Sequence, residues 1–416
     1  MHDILPADTP LWRSLERTVA EVFSAYGYEE IRVPLVEKTE VFARAIGEST
    51  DVVEKEMYSF ADRSGDMLSL RPEGTAGVVR AALQNGLLRG PPVRLWYGGP
   101  MFRYERPQKG RTRQFHQMGA EIFGAEGPDV DAELIAMGER LWRRLGVTGI
   151  RLELNSLGNR AERDAYRAQL VCYLRERSGE LDDETLERLE RNPLRVLDSK
   201  DQNVRTVLAG APVMTDFLGD GTRRHFDGVL ELLDRLGIEY RTNPLLVRGL
   251  DYYSHTVFEW ITGELGAQGT ICAGGRYDDL VAMQGGQPCP AIGFAMGLER
   301  LVELRGAKGV LESESPHAYL VMAGQGTKET GLALAEKLRD ELPGLRLVCN
   351  AGTGSFKSQF RRADRSGAGL ALVLGDEELA KGSVVVKQLR EDRPQESVAV
   401  QQLPQWLASW LGERER

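Results

Sequence analysis

The chain has 416 residues, enough for two or three domains of ordinary size, and its 42% hydrophobic and 28% charged residues are the proportions of a globular protein. A net charge of −9 argues against indiscriminate coating of nucleic acid, while local basic patches can still hold a specific RNA. No apolar run approaches the length of a membrane span, and the N-terminus lacks the basic-then-apolar pattern of a signal peptide, so no membrane association and a cytoplasmic location are expected.

Leu11, Leu15, Val19, Val22, Phe23 and Tyr26 recur at three- and four-residue spacing, which predicts an amphipathic helix over 10–26, ended by Gly27. Glu30 to Leu35 reads as a strand in which Pro34 marks an edge or an interruption. A short strand over 68–71 and a helix from Thr75 to Leu88 follow. In Met101 to Gly124 two strand-like segments flank a loop with five Lys or Arg and one Glu between Arg103 and Arg113. From 160 to 222 the chain is heavily charged, with Leu170, Leu174, Leu181, Leu186 and Leu189 at helical spacing, and reads as a mostly helical insertion.

Strands return at 245–261 and 270–273, and a helix is expected from Ala295 to Leu304. Ala307 to Pro316 is linker-like. Strands at Ala318–Ala323, Leu345–Cys349, Gly369–Leu374 and Ser383–Lys387, with helices at 328–341 and 355–366, then predict a small α/β domain. The domains expected are 1–310, interrupted by 160–222, and 317–416.

A concentrated positive loop in an acidic chain asks for an anionic ligand. In the strand Phe115–Phe123, side chains alternate between faces. His116, Met118, Ala120 and Ile122 suit a core. Phe115, Gln117, Gly119, Glu121 and Phe123 present an amide and a carboxylate on either side of a glycine whose missing side chain leaves room, as the floor of a polar pocket needs. A solvated outer sheet face would show similar polarity, but two aromatics on that face make it a poorer explanation. Arg103 can hold a phosphate through two parallel hydrogen bonds; a lone arginine would more often be a surface ion pair, but four more cations follow it. Arg71-Pro72-Glu73-Gly74-Thr75 is a second polar cluster, where Glu73 and Thr75 suit either a substrate ammonium or helix capping.

Leu246 to Tyr253, Gly274 to Asp278 and Gly293 to Leu301 are three more clusters. The four cysteines and five histidines show no metal-ligand spacing, so neither a disulfide framework nor a zinc or other resident metal site is expected. No phosphate-binding Gly-x-x-x-x-Gly-Lys-Ser/Thr and no Gly-x-Gly-x-x-Gly is present. Nucleotide binding would therefore rest on arginines carried by a sheet.

Together these segments resemble the class II aminoacyl-tRNA synthetases, and within them the histidyl-tRNA synthetase family, over nearly the whole chain. Tyr28 to Pro34, Phe102-Arg103-Tyr104-Glu105 through Phe123, and Gly297-Leu298-Glu299-Arg300 look like the three class motifs. Leu246 to Tyr253 and Gly274 to Asp278 look like the two histidine-specific ones. The resemblance implies an α+β catalytic core on an antiparallel sheet with flanking helices, a helical insertion, and a C-terminal α/β anticodon-binding domain. It implies a homodimer, with the first motif at its interface, and a histidine–tRNA ligase acting on L-histidine, ATP with Mg2+, and tRNA(His).

By the same resemblance, Arg103 holds the α-phosphate and Arg300 the γ-phosphate, Phe115 stacks on adenine, and Glu105, Arg111 and Arg113 contact the nucleotide. Glu73, Gly74, Thr75 and Gln117 hold the amino-acid ammonium and carboxylate. Glu121 and Tyr253 read the imidazole, with Tyr252 and Tyr277 shaping the pocket. Arg248 bridges the substrate carboxylate and the α-phosphate, and with Arg103 is the catalytic pair. For tRNA, Gln108 and Lys109 in the basic loop would reach the acceptor end. Lys357, Arg361 and Arg365 share one helix face by their four-residue spacing; a plain solvated face would show the same spacing. A catalytically inactive regulatory subunit of ATP phosphoribosyltransferase is the main alternative, disfavoured because Arg248, Tyr252, Tyr253 and residues 317–416 are all present.

Overall fold

A computed structural model describes residues 2–47, 50–90, 92–106, 111–266, 269–306 and 315–414. It divides into two compact units, Met1–Leu311 and Glu312–Arg416.

The first unit is built on an eight-stranded sheet in the order Glu29–Glu30, Val93–Phe102, Gln114–Phe123, Ala291–Gly297, Thr270–Arg276, Ser254–Thr262, Ile150–Ser156, Tyr240–Thr242. The six inner strands are antiparallel and the two short edge strands pair parallel. The period-2 alternation of the strands sorts their side chains into two cores. Met118, Ala120, Ile122, Phe258, Trp260, Phe294 and Met296 pack under the helices Thr9–Ala25, Pro128–Leu145, Asp220–Leu236 and Leu298–Gly306. The opposite face carries Tyr97, Phe123 and Val257 in a second core, with Tyr252, Tyr253 and Tyr277. Helix Thr9–Ala25 buries Leu11, Trp12, Leu15, Val19, Val22 and Phe23, each large apolar side chain contributing roughly 1.5–3 kcal/mol. A separate small sheet joins Val36–Lys38, Met67–Leu70 and Ser59–Ala61.

Between strands Ile150–Ser156 and Tyr240–Thr242 the described elements are all helical, beginning with Arg160–Glu176, whose start is closed by a reciprocal Asn159–Glu162 capping box. The fold class is therefore an antiparallel-rich α+β core with a helical insertion. In the second unit Leu347–Cys349, Ala318–Ala323 and Leu370–Gly375 are parallel, and Ser383–Gln388 and Glu396–Ala399 extend the sheet antiparallel. It has its own core, including Leu320, Leu372, Leu407 and Trp410.

Several boundaries differ from the sequence expectation. The strand expected over Glu30–Leu35 ends at Glu30, after one further bond from Ile31 N to Trp96 O (2.8 Å), and Val36 enters the other sheet. Helix Thr75–Gln84 stops short of Leu88. Residues 245–253 are not strand: Asn155 Nδ2 donates to the carbonyls of Pro244 (3.3 Å) and Leu246 (3.0 Å), and a turn joins Leu246 N to Asn243 O. Leu246 and Val247 are apolar because they are buried, whatever the backbone geometry. Ala295–Gly297 is strand, paired to 117–119, and the helix begins only at Leu298 where the pairing ends.

Candidate active site

The strand face turned away from the helices opens on a cavity of about 740 Å³. Small residues make the room: Gly293, Ala295 and Gly297 line it, while Ile292 and Met296 of the same strand fill the helix-covered core. The irregular segment around Arg248 forms a wall, and Arg195, Lys200 and Arg205 of the helical insertion also contribute to the lining.

One end is cationic. Arg103 is anchored by Nε to the Pro72 carbonyl (2.8 Å), and its guanidinium carbon lies 5.4 Å from the Phe115 ring centroid. Glu105 pairs with Arg111 (3.1 Å) and, more loosely, Arg103 (3.8 Å). Burial and the nearby Arg111 charge hold the Arg300 guanidinium below its usual range. Three arginines against few carboxylates is an arrangement that an anion completes. Glu299, beside Arg300 in sequence, accepts from His116 N (2.9 Å) and approaches His116 Nδ1 (3.0 Å), tying the helix to strand Gln114–Phe123.

Arg248 forms an ion pair with Glu259, and its Nε is buried without a hydrogen-bond partner among the described residues. Glu259 also accepts from Thr270 Oγ1 (2.9 Å), and the Thr270 carbonyl accepts from Arg300 Nη1.

The other end is a buried hydrogen-bonded floor. Glu73 accepts from Thr75 N (2.7 Å) and Ala76 N (2.9 Å), so it does cap helix Thr75–Gln84, and it also lines the cavity. Burial raises its pKa, partly offset by those backbone bonds and by Arg103. Thr75 Oγ1 donates to Glu121 Oε1 (2.7 Å) and Tyr277 Oη to Glu121 Oε2 (2.5 Å). Burial pushes Glu121 up to about 8 despite both donors. Gln117 Oε1 is buried without a partner among the described residues, which a ligand donor would relieve.

Of the residues expected at the site, Glu73, Thr75, Arg103, Glu105, Arg111 and Phe115 line the cavity, as do Gln117, Arg248, Tyr252, Tyr253 and Arg300. Glu121 and Tyr277 are 1% exposed and lie beneath that lining. Arg113 covers the Tyr104 ring at 3.9 Å. The space beside Gly119 is not a ligand's: an added Cβ would meet Tyr97 Cζ and Oη at 2.5 Å. Gly74 is likewise a point of close approach, with Tyr97 Cε2 2.1 Å from its would-be Cβ. Gln108 and Lys109 lie outside the described residues. Lys357, Arg361 and Arg365 are exposed on helix Phe356–Arg365 of the second unit.

Sequence reasoning missed Glu259, Thr270 and the insertion's cations. Glu259 did carry a signal, as the one carboxylate in strand Ser254–Thr262. The insertion's cations carried none, because nothing local distinguishes them from their charged neighbours.

The description "Histidyl-tRNA synthetase" belongs to the family profile that matches residues 1–301, and a profile for an anticodon binding domain matches 317–410. A histidine–tRNA ligase of Alkalilimnicola ehrlichii is 57% identical over 407 residues, covering 98% of this chain and 94% of the relative. The crystal structure of apo histidyl-tRNA synthetase from S. aureus is similar at a TM-score of 0.82 and 34% identity, with 98% of each chain covered. An ATP phosphoribosyltransferase regulatory subunit/histidyl-tRNA synthetase from Bacillus halodurans has a TM-score of 0.65 at 22% identity, covering 90% of this chain and 96% of that one, a likeness of fold alone.

Proposed function

The chain belongs to the histidyl-tRNA synthetase family, and we propose that the cavity on the open face of its first sheet is where histidine is activated by ATP and passed to tRNA. Its activity is that of an aminoacyl-tRNA ligase for histidine. The regulatory-subunit alternative has only a likeness of fold behind it. The observation that carries the assignment of the cavity is the convergence of Arg103, Arg111, Arg248 and Arg300 with Glu73, Gln117 and Tyr253 on one lining.

In the first step an oxygen of the histidine carboxylate attacks the α-phosphorus of ATP, and the bond from that phosphorus to the bridging oxygen breaks to release pyrophosphate. The carboxylate is already ionised at neutral pH, so no general base is required. The remaining work is positioning and stabilisation of charge on phosphate oxygens. Arg103 and Arg248 hold the α-phosphate and the carboxylate, Arg300 holds the γ-phosphate, and Phe115 stacks on adenine beside Glu105, Arg111 and Arg113. Mg2+ enters with ATP as its phosphate complex.

Glu73 receives the substrate ammonium on the lone pairs its two backbone donors leave, with Thr75 and Gln117 beside it. Tyr253 reads the imidazole from the lining, and Glu121 reads it from behind Thr75. A buried tyrosine hydroxyl left without its imidazole partner by an apolar competitor gives strong discrimination. In the second step a hydroxyl of the terminal ribose of tRNA(His) attacks the histidyl carbonyl of the adenylate, the bond from that carbonyl carbon to the phosphate oxygen breaks, AMP leaves, and a phosphate oxygen of the adenylate takes the hydroxyl proton. Lys357, Arg361 and Arg365 contact the anticodon end, and the basic loop with Gln108 and Lys109 contacts the acceptor end. A homodimer paired through the Tyr28–Pro34 region and a cytoplasmic location belong to the same reading.

Amino-acid-dependent exchange of pyrophosphate into ATP, run across all twenty amino acids, tests it. Exchange is expected with histidine alone, and Arg248→Ala should reduce it on the order of 10²–10³-fold with the native far-UV circular dichroism spectrum retained. Normal exchange by that variant overturns the role of Arg248.

A further inference from the structure

We infer that Glu259 is a positioning residue for Arg248, and that through Thr270 it sets Arg248 in register with Arg300. The inference rests on the role of Arg248 given above.

Arg248 stands on an irregular segment whose backbone is tied by Asn155, by local turns and by a bond from Asp251 N to Ile46 O (3.1 Å), and none of these fixes the long arginine side chain itself. Glu259 stands on strand Ser254–Thr262, locked by pairing on both sides. Both side chains are mostly buried, 17% and 15% exposed. A pair of this kind holds geometry better than a solvated one.

Both carboxylate oxygens of Glu259 are engaged: Oε1 takes Arg248 Nη1, and Oε2 takes Thr270 Oγ1 at 2.9 Å. The carbonyl of the same threonine takes Arg300 Nη1. One chain of contacts thus joins the two cations expected at opposite ends of the triphosphate.

Among the described residues, Glu259 takes one edge of the Arg248 guanidinium. Its Nε is buried and unpartnered among the described residues, and the Tyr253 ring centroid lies 5.7 Å from its Cζ. A buried donor without an acceptor is a standing cost that an arriving anion removes. Glu259 fixes one edge and leaves the rest of the group for the ligand. The neighbouring carboxylate does not compete for this role. Glu153 lies directly across the strand pair from Glu259, but it is held by Asn243 Nδ2 (2.6 Å) and Arg151 Nε (3.3 Å).

The test is a double-mutant cycle on the full chain, read as single-turnover adenylate formation and as steady-state pyrophosphate exchange. Glu259→Gln should lower kcat on the order of 10–100-fold, the scale of a misplaced catalytic group. KM for histidine and ATP should move less than about threefold, because orientation is lost and binding is not. In an Arg248→Ala background the same change should cost less than about twofold, because its target is gone. Thr270→Val should act in the same direction more weakly, and Thr270→Ser, which keeps the hydroxyl, should restore the rate.

Multiplicative effects in the double variant would overturn the inference, as would an unchanged or raised kcat in Glu259→Gln, the mark of a latch that holds Arg248 back. If Glu259→Gln does not fold, the Thr270→Val and Thr270→Ser pair decides, and equal rates in the two reject the link. Near-normal adenylation by Arg248→Ala would reject the role given to Arg248, and with it the premise of the inference. A crippled Arg248→Ala beside an unaffected Glu259→Gln would reject only the role of Glu259.

Discussion

Glu121 shows what burial does to a single ionisable group. Its folded-state pKa is about 8 against an ordinary value of 4.5. Below 4.5 both folded and unfolded chains carry the proton. Between about 4.5 and 8 the unfolded chain gives it up while the folded chain keeps it, so stability falls as pH rises through that window, by at most roughly 1.4 kcal/mol per pH unit. Glu121→Gln removes this dependence. Urea unfolding of both proteins from pH 5 to 8 should show the wild-type chain losing stability relative to the variant as pH rises. A constant difference would mean the carboxyl ionises normally in the fold. Glu73 teaches a different point: helix capping and substrate binding looked like competing explanations, yet the two backbone donors occupy only part of a carboxylate's acceptor capacity.

At the scale of elements, the strand Gln114–Phe123 decides most of the site. Its alternation put Met118, Ala120 and Ile122 in one core and Phe115 and Gln117 at the cavity, as the period-2 pattern implies. The same pattern could not say what fills the notch at Gly119. The Tyr97 ring does, from the neighbouring strand, where Tyr97 is the register partner of Gly119. Gly119→Ala should therefore destabilise the first unit by about 1–3 kcal/mol through overpacking, measured as a shift in the urea midpoint. Tyr97→Leu in the same chain should recover part of that loss. If Gly119→Ala is neutral, the ring has room to retreat and the close contact is not a constraint.

At the scale of the whole molecule the cavity and the exposed basic helix face fall in different units. The lining just described lies in the first, and the exposed cations Lys357, Arg361 and Arg365 lie in the second, with no ion pair among the described residues. Replacing all three with alanine should raise KM for tRNA, weaken its salt dependence by up to about three phosphate contacts, and leave pyrophosphate exchange unchanged. A tRNA KM and salt slope equal to wild type would return that helix face to ordinary solvation.

Much of this was legible along the chain because it is written in short-range chemistry. Helix faces follow from 3.6-residue periodicity, the C-terminal α/β order from alternating strands and helices, and the arginine and glycine clusters from local composition. Residues 245–253 carry a strand-like signature in the sequence because burial and strand pairing leave the same apolar pattern over a short run. What the sequence by itself determined was the family, the fold class and the residue types the reaction needs. Only the tertiary structure decided that Glu121 lies beneath the lining, that Tyr97 occupies the space at Gly119, and that Glu259 grips Arg248. Each of those depends on which strand lies beside which, a long-range choice made by packing the sheet as a whole, and no local pattern records it.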